Sequence, residues 1–259
     1  MNHETVAVLS NQEIAPRVFE MILQTPNFSV GKPGQFVMLY PQNAGTLLPR
    51  PISICRQTKN ITMLVYKVFG GGTRYLSTLK QGDNLPIMAP LGNNFSAKSH
   101  KKVALVGGGV GIPPMVFLYD TLQETSPNTE IDVFLGFKDT HFLTTMFTNA
   151  NLYIVSENVD ALNAFQNASG NVYPKNGNVL TLLNNYAQQY DEIYACGPKP
   201  MLQALCEYAK QKNIPLQVSL EERMACGVGA CVCCVANTTS GYVKICCDGP
   251  VFDSDKVVF

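Results

Sequence analysis

Neither sign of charge predominates in this chain of 259 residues, where 19 lysines and arginines face 19 aspartates and glutamates. Without a bulk field, nothing in the composition favours nucleic acid or an anionic membrane as a partner. Long apolar runs are missing as well. The uncharged, largely apolar stretch VALVGGGVGIPPMVFLY at 103–119 is broken by consecutive glycines and a Pro-Pro pair, which a membrane span rarely tolerates. The N-terminal residues open polar and then alternate like a strand, so no export signal is expected. Cysteine is nearly absent from the first 195 residues, which hold only Cys55. A secreted disulfide scaffold would spread its cysteines along the chain. Together these absences lead us to expect a globular protein of a reducing compartment, the cytoplasm.

Cysteine is instead concentrated near the end. CGVGACVCCV at 226–235 and ICCDGP at 245–250 carry six of the nine cysteines. Such crowding reads as metal binding rather than as disulfide formation.

Along the chain, three parts are expected: 1–98, 99–220 and 221–259. The first reads as short strands separated by polar turns: TVAVLSNQ, VFEMILQT, GQFVMLYP, PISICRQ and ITMLVYKVF. That pattern predicts a small antiparallel β-barrel, with one helix at TRYLSTL. After KSHKK the pattern changes to strands alternating with helices, from KVALVGGG to IPLQVSLEE. This predicts a parallel sheet covered on both faces. The fold class is therefore α/β plus all-β, with a small cysteine-rich module at the end.

Gly107, Gly108, Gly109 and Gly111 stand between a predicted strand and a helix. Backbone without β-carbons can approach a pyrophosphate there, and the helix N-terminus offers free N–H groups. G-x-G-x-x-G is matched incompletely, with Ile112 at the third position, and a tight strand–helix turn is the alternative. YACGPKPML at 194–202 repeats the arrangement, placing Cys196 and Gly197 at the carboxyl end of a strand. By itself Cys196 could equally be a small buried hydrophobe. In the barrel, Arg50 of RPISI can pair with a phosphate and Ser53 offers a hydroxyl, although a solvated arginine before a proline is common. VYKVFGGGTRYLS adds Gly70, Gly71, Gly72 and Thr73 as a second phosphate cradle.

A barrel with R-P-x-S and a later G-T, followed by G-G-G-x-G-x-x-P and C-G-P, resembles the ferredoxin reductase family. The resemblance implies a flavin in the barrel and a nicotinamide nucleotide on the α/β part. It places Arg50, Pro51, Ile52 and Ser53 along FAD, with Val65, Tyr66 and Lys67 on the next strand and Gly72 and Thr73 at its pyrophosphate. Many members have tyrosine where this chain has Ile52, so stacking on that face of the flavin departs from the pattern.

Cys226, Cys231 and Cys234 form C-x4-C-x2-C, the spacing of plant-type [2Fe–2S] ferredoxins, which need a fourth cysteine further on. Structural zinc, the alternative, more often shows paired C-x2-C knuckles. Spacing selects Cys234 over Cys233. If YVKIC is a strand, Cys246 and Cys247 lie on opposite faces, and periodicity does not choose between them. The tail SLEERMACGVGACVCC with YVKICCDGPVF resembles the electron-transfer subunits of class 1B dihydroorotate dehydrogenases, and the likeness extends along the whole chain. It places the last ligand at Cys246, so that Cys226, Cys231, Cys234 and Cys246 hold the cluster and Cys233 and Cys247 are extra.

The same resemblance implies an FMN-containing catalytic subunit as partner, in a heterotetramer, with electrons passing through [2Fe–2S] and FAD to NAD+ in pyrimidine biosynthesis. Nothing in the chain suggests orotate chemistry of its own, and the cluster loop is expected to face the partner. Two rival readings are a subunit of an NADPH- and ferredoxin-linked flavin reductase, and a zinc-holding interaction module. After the second strand of the nucleotide domain, Asp139 would repel a 2′-phosphate while Lys138 and Thr140 could help bind one. NAD is the expected nucleotide.

Overall fold

The computed structural model describes residues 2–43, 45–162, 172–186 and 189–259. Residue contacts divide the chain into two compact units. One comprises residues 1–94 and 221–250, the other 95–220 and 251–257, with one further terminal residue in each. Of the part expected at 221–259, residues 221–250, with all six clustered cysteines, fall in the first unit and 251–257 in the second.

Six antiparallel strands close the barrel of the first unit: β1 (Asn2–Ala15), β2 (Val18–Gln24), β3 (Phe36–Leu39), β4 (Arg50–Gln57), β5 (Ile61–Lys67) and β6 (Asn84–Leu91), in the order β1-β2-β5-β4-β3-β6. The expected helix is present as α1 (Gly71–Thr78) between β5 and β6. Five of these strands correspond to expected runs. The sixth, β6, was not anticipated, because NLPIMAPL carries two prolines and proline argues against a central strand. It nevertheless pairs with both β1 and β3 and closes the barrel. Met21, Leu23, Met38, Leu39, Ile54, Leu64 and Leu85 are fully buried among the barrel's core residues.

The second unit contains β7 (Lys102–Gly108), α2 (Ile112–Thr125), β8 (Glu130–Phe137), β9 (Asn151–Ser156), α3 (Val159–Leu162), β10 (Val172–Asn176), α4 (Val179–Tyr186), β11 (Glu192–Cys196), α5 (Lys199–Lys212) and β12 (Leu216–Ser219). The expected helix VLTLLNNYAQQ is observed through Tyr186, and residues 187 and 188 lie outside the described ones. Parallel strands run in the order β10-β9-β8-β7-β11-β12. The seventh strand, β15 (Val251–Asp253), comes from the chain's end and joins β12 antiparallel. Before it, β13 (Val235–Thr238) and β14 (Gly241–Lys244) form a separate hairpin in the first unit.

Strand order sets the chemistry of this sheet. From β7 the chain moves outward to β8, β9 and β10, then returns to β11 on the other side of β7. The order reverses between β7 and β11, the place where open parallel sheets bind ligands beyond their carboxyl ends. At the opposite end, Asp132 is wholly buried and fully engaged. It accepts hydrogen bonds from Tyr190 Oη and Asn151 Nδ2, both at 2.7 Å, and pairs with Lys102 Nζ at 3.2 Å. That satisfied network tethers strands and leaves ligand chemistry to the other edge.

Candidate functional site

Three constellations carry the predicted residues. The first is a split in the barrel wall. Pairing between β4 and β5 runs from Gln57–Thr62 to Ile54–Leu64 and stops there. Beyond it, Arg50–Ser53 remain paired with β3, and Val65–Lys67 with β2. The two predicted flavin segments therefore border a gap where the ladder between β4 and β5 has ended, and backbone polar groups along such an edge need other partners. Tyr66 is committed to the barrel itself. Its hydroxyl donates to Asn11 Oδ1 at 3.0 Å and its ring stacks on Phe19 at 5.8 Å. Burial raises its pKa above the usual phenol range. Val65 is buried, and Lys67 Nζ lies 5.7 Å from the centroid of the exposed Phe69 ring.

Arg50 and the glycine loop meet at one end of this gap. A β-carbon on Gly72 would stand 2.5 Å from the Arg50 guanidinium. Thr73 Oγ1 accepts the backbone N–H groups of Phe69 at 2.9 Å and Gly70 at 3.2 Å, closing the loop as α1 begins. First-turn N–H groups have no acceptor within their own helix, so this end presents donors beside a fixed cation. The arrangement fits an anionic pyrophosphate. Gly72→Ala should weaken FAD binding by roughly tenfold, because displacing the arginine forfeits a charged hydrogen bond of about 1.5 kcal/mol. Gly70→Ala, whose added carbon meets nothing within 4 Å, should change it less than about twofold. A fluorescence titration of apoprotein with FAD reads both.

The second constellation occupies the β7/β11 switch point. Gly107 is the register partner of Cys196, and a β-carbon on Gly111 would overlap the Cys196 carbonyl. At Gly108 an added carbon would meet Met201 Sδ at 2.7 Å and Pro198 Cδ at 3.0 Å. Gly109 differs from these: it has open space around it but a φ of +53°, the left-handed region that glycine enters without penalty. The two glycine loops, predicted separately, interlock as one surface of bare backbone. α2 begins directly behind it, with prolines in its first turn. This cradle fits a dinucleotide pyrophosphate. Lys138, Asp139 and Thr140 follow β8 and are all exposed.

Thiols make the third. Cys226 and Cys231 Sγ are 3.3 Å apart, and Cys234 is hydrogen-bonded to Cys246. Backbone N–H groups point at the sulfurs: Cys231 N and Val228 N donate to Cys226 Sγ at 3.4 and 3.5 Å, and Gly229 N to Cys246 Sγ at 3.2 Å. Those of Cys231 and Val228 lower the Cys226 thiol to about 6. Burial is the main cause that raises the Cys246 thiol. Among the described residues, no three His, Cys, Asp or Glu side chains are grouped to hold a single ion. The four predicted ligands stand instead as two pairs, which fits two tetrahedral irons that each take two thiolates. Cys234 and Cys246 are buried, at 1% and 2% exposure, whereas Cys233 and Cys247 are exposed.

Periodicity could not separate Cys246 from Cys247, because the supposed strand ends early. β14 stops at Lys244, whose carbonyl then accepts the N–H groups of Cys247 and Asp248 at 3.0 and 2.8 Å. The two cysteines sit on a turn, which orients them differently from strand neighbours. Gly227 (φ +71°) brings the loop against the barrel: an added carbon there would touch Met38 Cγ at 3.0 Å and Met88 Cε at 3.1 Å. Met38 is in turn the register partner of Pro51.

Known proteins supply the decisive comparison. Residues 221–258 match the family described as the iron-sulfur cluster binding domain of dihydroorotate dehydrogenase B, and residues 105–207 match the oxidoreductase NAD-binding domain. The dihydroorotate dehydrogenase B (NAD(+)) electron transfer subunit of Listeria monocytogenes is 38% identical over 259 aligned residues, spanning 96% of each chain. That of Caldanaerobacter subterraneus subsp. tengcongensis is 36% identical over 97% of each. The chain belongs to the dihydroorotate dehydrogenase B electron transfer subunits. As such a subunit it is an oxidoreductase component, as the tail motifs led us to expect. Among solved structures, the NADH-dependent reduced ferredoxin-NADP oxidoreductase superposes with a TM-score of 0.85 at 24% identity, over 98% of this chain and 89% of its own. The carbazole 1,9a-dioxygenase ferredoxin reductase gives 0.66 at 16%, over 84% and 68%. These two likenesses concern the fold, which is ferredoxin reductase-like as expected. Among the described residues, no helix is long and apolar enough to cross a membrane.

Proposed function

We propose that this chain relays electrons from a dihydroorotate-oxidising, FMN-containing partner subunit to NAD+, the two subunits forming a heterotetramer. The observation that carries this reading is the position of the cysteine loop. It packs on Met38 of β3, whose register partner Pro51 belongs to the R-P-I-S segment at the barrel's gap. Neighbouring strands lie roughly 4.8 Å apart, so the two one-electron sites of this reading sit close together within one unit. Bound FAD supplies the exchange between hydride pairs and single electrons that lets a nicotinamide communicate with an iron–sulfur centre.

The chain's own residues bind, orient and neutralise. Cys226, Cys231, Cys234 and Cys246 are the ligand thiols, and the N–H groups of Val228, Gly229 and Cys231 offset negative charge on the sulfurs. Arg50 and the first turn of α1 neutralise one pyrophosphate; the Gly107–Gly111 and Cys196–Gly197 backbone receives another. Asp139 disfavours a 2′-phosphate and so favours NAD. Around the thiols, Val228, Val232 and Tyr242 are exposed by 40%, 75% and 81%, an apolar margin suited to the partner subunit.

An anaerobic absorption spectrum before and after NADH, followed by chromatography with the partner subunit, tests this reading. Flavin bands above a broad iron–sulfur background that bleach with NADH, together with co-elution, are expected. A colourless chain after reconstitution, or zinc in place of iron, would overturn it.

A further inference from the structure

Both cysteines of the Cys246–Cys247 pair approach the cluster loop, although only one is needed. Their sulfurs are 3.6 Å apart. Two thiolates on one tetrahedral metal stand about 3.8 Å apart when the metal–sulfur bond is roughly 2.3 Å. The exposed Cys247 thiol also lies over the loop: a β-carbon on Gly229 would be 2.7 Å from Cys247 Sγ. Gly229 is the residue whose N–H donates to Cys246 Sγ at 3.2 Å. Lys244 Nζ holds the Gly229 carbonyl at 2.6 Å, and the Lys244 carbonyl accepts Cys247 N–H at 3.0 Å. One lysine therefore ties the loop to the turn that bears both thiols. Cys233 is exposed as well, but it lies before β13 and not on this turn.

We propose that Cys247 is a standby ligand: when Cys246 is lost, Cys247 replaces it and completes the cluster with Cys226, Cys231 and Cys234. This rests on the cluster reading above. The exchange is one of ligand identity: with no thiol at position 246, the Cys247 thiol releases its proton to solvent and its sulfur forms the iron–thiolate bond that Cys246 would have made. No oxidation or reduction is involved. Adjacent cysteines in an extended strand would point to opposite faces and could not exchange in this way. The turn after Lys244 makes the exchange a short movement.

Iron and acid-labile sulfide per chain, after identical reconstitution, would be measured for the full-length protein and for Cys246→Ala, Cys234→Ala and the Cys246→Ala/Cys247→Ala double variant. FAD content would report folding. Cys246→Ala should keep at least about half of the wild-type iron, with a shifted electron paramagnetic resonance spectrum after dithionite, because a solvent-exposed thiolate tunes the cluster differently. Both Cys234→Ala and the double variant should fall below about a tenth. Alkylation read by mass spectrometry adds an independent signal: Cys247 should be labelled in the wild-type holoprotein and protected in Cys246→Ala. Should the alanine variant fail to fold, Cys246→Val, which likewise offers iron no donor, gives the same protection reading. Equal iron loss in Cys246→Ala and the double variant, or continued labelling of Cys247, overturns the standby role and leaves the cluster reading intact. Wild type without iron, or Cys234→Ala with full iron, overturns the cluster reading itself.

Discussion

Replacing Cys234 by alanine should empty the cluster while the flavin remains in place. Cys234 is 1% exposed and hydrogen-bonded to Cys246, so its removal breaks the inner pair where water cannot readily supply a substitute. Loss of an outer partner of a metal ligand already costs about 10–100-fold in affinity, and loss of a ligand should cost more. Iron per chain should fall at least tenfold, and dihydroorotate-driven NAD+ reduction by the reconstituted complex should fall by at least about a hundredfold. Arg50, Gly72 and the β4/β5 gap do not involve Cys234, so bleaching of the FAD bands by NADH should persist. Metal analysis together with stopped-flow absorbance checks both. Retained dihydroorotate turnover in an iron-free variant would mean that electrons bypass these thiols.

Gly111→Val should be the most damaging single change in the nucleotide-binding unit. Backbone torsion is not the cause, since Gly111 adopts ordinary right-handed angles (φ −82°, ψ −6°). Space is the cause. Any β-carbon there overlaps the Cys196 carbonyl and crowds Gly197 N at 2.6 Å, and these are main-chain atoms of β11 that no rotamer change can move aside. Overpacking of this kind costs about 1–3 kcal/mol, occasionally more. For a unit of this size that corresponds to a fall in melting temperature of roughly 3–10 °C. Because the same movement parts the two halves of the pyrophosphate cradle, the KM for NADH should rise at least about tenfold, equivalent to roughly 1.4 kcal/mol. FAD content and iron should stay near wild type. Calorimetry and NADH-dependent flavin reduction measure the two effects, and an unchanged KM would remove the Gly111–Cys196 junction from the nucleotide site.

Much of this could be read from local pattern. PISICRQ and ITMLVYKVF became β4 and β5 because alternation and short runs are strand properties that need no knowledge of neighbours. KVALVGGG became β7 because a continuous apolar run ending in glycine suits a strand buried on both faces. The C-x4-C-x2-C spacing already selected Cys234 over Cys233, and burial agrees with that selection. By contrast, β6 was hidden by its prolines: only the presence of β1 and β3 on its two sides makes NLPIMAPL a strand.

Alone, then, the sequence determined most of the elements, where the glycine loops and the clustered thiols fall, and which family the chain resembles. Each of these is encoded over a few neighbouring residues. Tertiary structure decided what lies beside what. It made β4 part from β5 between Arg50–Ser53 and Val65–Lys67, and it joined Gly107 to Cys196 across 89 positions of chain (196 − 107). It also set the cysteine loop on Met38 and paired β15 with β12. The choice between Cys246 and Cys247 belongs with these. A turn after Lys244 replaces strand alternation there, and Lys244 Nζ ties it to the Gly229 carbonyl, a contact that strand periodicity does not encode.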